Sequence, residues 1–332
     1  MHLDFSLLMD NTKRRRFDEA IRDYVLSPSF LDESIPKSVR YAMESMQEID
    51  SAYSYKVYAN TRKIQDAVKA FQSGPKPAIR YQGGLRTETH IRLYGEVDML
   101  FLLDQNASSK SVLELGKYLR DWASNQDFQH VDYSDGLRIK LVTQKPACRI
   151  NLIPAAWIDN PQFLQRKNEV YRGVVIYNFK EKTKKKLLPF LNLARISDKD
   201  FETNGGYRRV VRLLKSLSND ESVSLNSYEL AGLIYHLEND RLIADPTKEL
   251  SVLPSVLKYM EEILGDKERF EMLVSPSEKE LVFGARPDRK EAISKLKSSL
   301  EDLITDLKEH LGPDLDSSVK YITDSSADPD SE

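Results

Sequence analysis

A chain of 332 residues, 40% hydrophobic and 30% charged, has the composition of an ordinary globular protein and the length for one bilobal unit or two domains. Its formal net charge of -3 leaves no global footprint for nucleic-acid binding, so any basic site must be local. No apolar run approaches the ~18 residues of a membrane span, the opening MHLDFSLLMDNTKRRR lacks the order of a signal peptide, and the single cysteine, Cys148, excludes an internal disulfide framework, so a cytoplasmic protein without membrane contact is expected.

In chain order, residues 12–25 read as a short helix whose basic cluster, Lys13 to Arg16, forms a solvated face or else an RNA, DNA or inter-lobe contact. Val39, Ala42, Met43, Met46, Ile49, Ala52 and Tyr53 recur at spacings of three and four. That period predicts one long helix over residues 38–72, a spine between two lobes, stopped by SGPKP at 73–77. A strand at 78–82, the turn Gly83-Gly84, a helical turn over 87–94 and a strand at 96–103 follow. Next come a Ser-capped helix at 108–124 and strands at 130–133, 137–143 and 148–154, the first two joined as a hairpin through SDG. A mixed sheet backed by helices results. Beyond Pro161 a strand at 173–177 leads to the lysine run KEKTKKK at 180–186, read as a solvated loop or helix start, or else as a contact for triphosphates or a polyanionic activator. Helices at 186–193, 207–217, 227–239, 253–264 and 289–311 complete a mainly helical second lobe. The fold class is therefore α+β and bilobal, with a core lobe over 1–165, a helical lobe over 166–312 and an acidic, disordered tail over 313–332. A cleft between the lobes is the natural ligand site.

The chemistry concentrates between Tyr81 and Leu103. Glu96 and Asp98, two residues apart on a strand, point to one face about 7 Å apart. That is close enough to share one or two magnesium ions, and Val97, Met99, Phe101 and Leu103 face a core on the other side. The bland alternative is a polar pair on an exposed strand. The Gly83-Gly84 turn upstream leaves backbone N–H groups free for phosphates. The strand ACRINLIPA can bring Asn151 to the same site. Together these features point to metal-assisted phosphoryl transfer on a nucleotide.

The motifs, in this order, resemble the polymerase-β-like nucleotidyltransferases, and within them the cyclic-oligonucleotide synthases related to cyclic GMP-AMP synthase and DncV. Gly83-Gly84 stands where a Gly-Ser turn is expected, and Glu88-Thr89 where Gly-Thr is expected. Glu96-Val97-Asp98 matches the acid pair, and Asn151-Leu152-Ile153-Pro154-Ala155 the strand of the third acid. Gly206 to Lys215 resembles the helix with a phosphate-contacting lysine, and Ser227-Tyr228-Glu229-Leu230 the segment lining the nucleotide site. The resemblance spans roughly residues 38–310. It implies that Glu96 and Asp98 hold magnesium (or manganese), with Asn151 as third member of the catalytic set. Gly83, Gly84, Thr89, Lys215, Ser227 and Tyr228 would bind the nucleotide, with ATP the expected substrate and Tyr228 stacking on a base. The product would be a cyclic or linear oligonucleotide second messenger, in bacterial anti-phage defence.

Three positions depart from the pattern. Gly84 lacks a hydroxyl, Glu88 brings a negative charge near the phosphates unless it faces solvent, and Asn151 is neutral where an acid is expected. Asn151 leaves open a naturally impaired enzyme, an engineered inactive variant or a misaligned strand, with Asp132 or Asp135 as substitute acids. Two other functions stay in view: a transferase adding nucleotides to tRNA or protein, and a catalytically impaired relative that binds nucleotide or a partner protein. His90 could touch a phosphate. Trp122, Trp157 and Cys148 read as packing. No zinc-ligand cluster supports direct DNA sensing, and regulatory or effector partner proteins are conceivable.

Overall fold

The computed structural model describes residues 3–18, 22–71, 74–92, 96–128, 130–144, 147–244, 248–284, 286 and 288–315. The chain opens with helix α1 (Phe5–Arg16), capped by the Asp4 carboxylate, and a short hairpin of β1 (Phe17–Asp18) and β2 (Asp23–Tyr24). The helix expected at 12–25 thus starts earlier and ends at Arg16. Its basic cluster is not wholly solvated either: Arg15 and Arg16 are buried, Arg15 against Asp220 at 2.5 Å and Arg16 against Glu44 at 2.9 Å. Buried guanidinium groups persist only with such partners.

After α2 (Pro28–Leu31), the expected spine is two helices, α3 (Lys37–Met46) and α4 (Ser51–Lys69). Asp50 breaks it: its side chain accepts from the Tyr53 backbone N–H at 2.8 Å, the bond of an N-cap that restarts the helix. The second Asp50 oxygen takes the buried Arg92 guanidinium. Each half joins a different core. Val39, Tyr41, Ala42 and Met46 pack with the helical lobe, whereas Tyr53, Val57, Ile64 and Val68 pack on the sheet.

The sheet has seven strands. β3 (Ala78–Gln82), β4 (Glu96–Leu103), β7 (Ala147–Ile158), β6 (Ile139–Gln144) and β5 (His130–Asp132) lie in that order, and β8 (Gly173–Asn178) pairs with β7 and with β9 (Thr183–Leu187). Only β4 and β7 are parallel. Helix α5 (Ser109–Ser124) covers one face with α4, over Val97, Met99, Phe101 and Leu103. Leu100, Leu102, Ile153 and Trp157 form a smaller core on the other face. The lysine run, expected as a loop or helix start, is largely the edge strand β9. Its exposed lysines blunt an otherwise sticky edge. The sheet therefore continues to Leu187, and the helix placed at 186–193 begins at Pro189.

Helix α6 (Pro161–Arg166) lies between β7 and β8. Helices α7 (Pro189–Glu202), α8 (Gly206–Asp220), α9 (Ser227–Tyr235), α10 (Leu253–Gly265), α11 (Lys267–Glu271) and α12 (Asp288–Leu311) form the second lobe with α1 and α3. Gly206, at the start of α8, sits so close to the 239–242 turn that a Cβ there would lie 1.9 Å from the Leu242 carbonyl oxygen. Residues 87–92 form turns and extended chain with no helix, and the rest of the helical turn expected to 94 lies outside the described residues. Most of the tail, 316–332, does too.

Candidate active site

Parallel pairing of β4 with β7 puts Asp98 directly opposite Asn151, and Glu96 opposite Arg149. Antiparallel neighbours add Gln82 on β3 beside Asp98, and Lys140 on β6 beside Asn151. Alternation along each strand sends these side chains to one face. There the Asn151 amide donates both its hydrogens, to Glu96 Oε2 at 2.9 Å and to Asp98 Oδ1 at 2.6 Å. Asn151 is 1% exposed, and carboxylates only accept, so its amide nitrogen has to face them. Arg138 stands 3.9 Å from Glu96 Oε2. Desolvation, reinforced by the Glu96 charge and opposed by the Asn151 hydrogen bond, pushes the Asp98 carboxyl up to about 6, although part of the residue reaches the cleft surface.

Two hard-oxygen carboxylates converging on one point, one of them poorly compensated, are suited to a divalent cation. Among the described residues no third His, Cys, Asp or Glu completes a cluster with them. Asp132 and Asp135 do not fill the gap. Asp135 is bound by Arg138 at 2.9 Å and by two backbone N–H groups, and Asp132 by Ser134 and Lys140. An Asp98 proton held below pH about 6 must leave before a cation enters. The affinity for Mg2+ or Mn2+ without nucleotide should therefore fall about tenfold for each pH unit below about 6. Calorimetric titration across that range checks this, and a flat profile would remove Asp98 from the ligand set.

The glycine turn lies against this pair. Gly83 has φ +80, and a Cβ there would come within 2.9 Å of Asp98 Oδ2. Only glycine fits both demands. At Gly84 a Cβ would meet Lys215 Nζ and His90 Cβ at 3.3 Å, so the space for a serine is already bounded. Glu88, also at positive φ, turns outward to Arg208 at 2.9 Å and is 57% exposed, which removes its charge from the phosphate side.

One face of α8 holds this loop through three successive carbonyls. Arg208 donates to Thr87 O at 2.8 Å, Arg212 to Glu88 O at 2.7 Å, and Lys215 to Thr89 O. Positions 208, 212 and 215 share a helix face through their spacing of four and three. The pattern Arg-x-x-x-Arg-x-x-Lys was visible in the sequence, but its carbonyl partners were not. Burial, with Arg212 alongside, lowers the Lys215 ammonium to about 7. The Thr89 hydroxyl is occupied by Thr87 at 2.8 Å. His90 is buried against Tyr53, with ring centroids 6.1 Å apart, and burial lowers it to about 3, so it is a neutral packing group.

A cleft of about 600 Å³ runs from these residues to the helical lobe. Glu96, Asp98, Gly83, Gly84, Thr89 and Lys215 line one side, and Ser227 and Tyr228 at the start of α9 line the other. The α9 turn is rigid because Asn226 and Glu229 form a reciprocal capping box. Sequence reasoning missed Asn192, Arg138 and Glu280, which also face the cleft. It singled out the lysine run without selecting Lys185, whose ammonium meets Glu280 at 2.6 Å. Trp157 packs on Phe190, and Trp122 on Phe128.

Comparison with known proteins finds relatives of similar sequence and fold. Residues 194–309 match the cGAS/DncV-like nucleotidyltransferase C-terminal helical domain. The chain is 25% identical over 293 residues to the cyclic dinucleotide synthase CdnE of Yersinia aleksiciae, a match covering 81% of this chain and 76% of that one. Among solved structures, the STING-associated CdnE c-di-GMP synthase from Capnocytophaga granulosa superposes with a TM-score of 0.78 at 22% identity, covering 93% of this chain and all of that one. The Rhodothermus marinus CdnE c-UMP-AMP synthase, solved with Apcpp and Upnpp, gives 0.62 at 17% identity over 82% of this chain and 97% of that one.

Proposed function

We propose, from the match of its helical lobe and the likeness of its whole fold, that the chain is a cGAS/DncV-like nucleotidyltransferase that joins two nucleoside triphosphates into a cyclic dinucleotide second messenger. The observation that carries the reading is the Glu96–Asp98 pair on a strand directly beside Asn151, facing an interlobe cleft. A ribose hydroxyl oxygen of one nucleotide bonds to the α-phosphorus of the other. The bond from that phosphorus to its bridging oxygen breaks, pyrophosphate leaves, and the hydroxyl proton passes to solvent. A second such step closes the ring. Glu96 and Asp98 would hold a divalent cation, which when bound polarises the α-phosphate and offsets the charge of the leaving group. The glycine-turn backbone approaches the phosphates, Lys215 supplies a nearby ammonium once it is protonated, and Tyr228 offers a face for a base. The same reading places the product in bacterial anti-phage signalling, with regulatory or effector proteins as partners. Among the described residues no helix is long and apolar enough to cross a membrane.

Asn151 favours one second reading, a nucleotide-binding protein with little turnover. Incubating the purified chain with labelled ribonucleoside triphosphates and Mg2+ or Mn2+, then resolving the products, separates the two. Synthesis is expected to give pyrophosphate and a phosphatase-resistant dinucleotide. Bound nucleotide without product supports the second reading, and label on added tRNA or protein supports a transferase of another substrate class.

A further inference from the structure

Glu280 joins the two walls of the cleft. It sits in a loop closed by the bridge between Val274 and Leu281 and by the Ser275 N–H to Glu280 O bond at 2.7 Å, so its backbone is held. Its side chain is 22% exposed. One carboxylate oxygen accepts from Lys185 on β9 at 2.6 Å, and the other from the Tyr228 hydroxyl at 3.2 Å. Both partners line the cleft, and Tyr228 is 37% exposed there.

We propose that Glu280 reads the base of a bound nucleotide and that this base is guanine, an inference that rests on the cleft being a nucleoside triphosphate site. Two adjacent carboxylate oxygens demand two adjacent donors. Guanine supplies them on its Watson–Crick edge as N1–H and the 2-amino group. Adenine sets an acceptor, N1, beside its single amino group, and uracil flanks its one N–H with carbonyls. Each of those would press a lone pair against a carboxylate. Cytosine offers an amino group next to an acceptor and meets the same penalty. An unpaired acceptor held against a carboxylate discriminates, because the mismatched base loses the bonds that the matched base makes. In the free protein Lys185 and Tyr228 supply the two donors that the base would bring. Lys185, released by the base, is then a mobile ammonium at the cleft mouth. Tyr228 lies within reach of Glu280, so one side chain can stack on the ring that the other reads at its edge.

The test is competition against a fluorescent nucleoside triphosphate bound to the full chain in Mn2+, with GTP, ITP, XTP and ATP as competitors. ITP lacks the 2-amino group, and XTP replaces it with a carbonyl. The parent protein is expected to prefer GTP over ITP by about tenfold and over ATP by about a hundredfold. Glu280→Gln, isosteric and uncharged, presents one acceptor and one donor. It is expected to lose at least tenfold in GTP affinity and to gain XTP binding, with an unchanged melting temperature showing that it folds. Lys185→Ala should keep the preference for GTP over ITP. Equal displacement by GTP, ITP and ATP, or an unaltered GTP to XTP ratio in Glu280→Gln, overturns the assignment of Glu280 alone. Failure of every triphosphate to displace the probe overturns the nucleotide-site reading together with it.

Discussion

A protein carrying Glu96→Gln and Asp98→Asn together is expected to lose dinucleotide synthesis by at least about a thousandfold, roughly 4 kcal/mol of transition-state stabilisation. Both amides keep an oxygen where Asn151 now donates, at 2.9 and 2.6 Å, so the sheet register has no reason to change. The melting temperature in chelator at neutral pH should hold or rise. Asp98 has its carboxyl raised to about 6, so in the folded state its ionised form is penalised above that pH, and a neutral amide removes the penalty. The addition of Mg2+ or Mn2+, which should stabilise the parent by mass action, should leave the double variant unmoved. Thermal melts with and without metal, run beside the product assay, check both parts. Full activity in a folded double variant would remove the pair from the active site.

Asn151→Asp is expected to act in opposite directions on stability and on metal binding. Without a cation it replaces two N–H donors by a third negative charge beside Glu96 and Asp98, a change that costs about 2–4 kcal/mol and appears as a lower melting temperature in chelator. With a cation the third carboxylate becomes a ligand. The Mg2+ concentration needed for half-maximal effect should then fall about tenfold or more, and synthesis should rise by a similar factor if the third ligand limits turnover. Unchanged metal affinity would mean that Asn151 serves the sheet alone. Higher metal affinity with no synthesis in either protein would favour nucleotide binding without turnover.

Much of the sheet was legible because its signals are local. The strand Glu96–Leu103, the Ser108-capped helix and the turn at Gly83 follow from alternation, a cap and a positive φ, each set by a few neighbouring residues. The break before Asp50 was hidden because the apolar period runs through it, and what restarts the helix is a cap reinforced by Arg92, 42 positions away. Arg15 and Arg16 looked solvated because their partners, Asp220 and Glu44, lie far off in sequence. The lysines of β9 were ambiguous for a similar reason: an exposed edge strand shows no apolar face, and only pairing with β8 defines it.

By itself the sequence determined the residue types and spacings on which the proposed site rests: an acid pair on one face of a strand, a glycine turn before it, and a lysine and a tyrosine on later helices. Residue type and spacing of two or of three and four decide those facts, since they depend on side-chain chemistry and backbone period alone. Tertiary structure decided how they meet. Parallel register set the Asn151 amide between Glu96 and Asp98, three basic side chains of one helix face took the carbonyls of residues 87, 88 and 89, and Glu280 was brought to Lys185 and Tyr228 across the cleft. Hydrogen bonds of this kind join residues separated by 50 positions or more, and no local period encodes them.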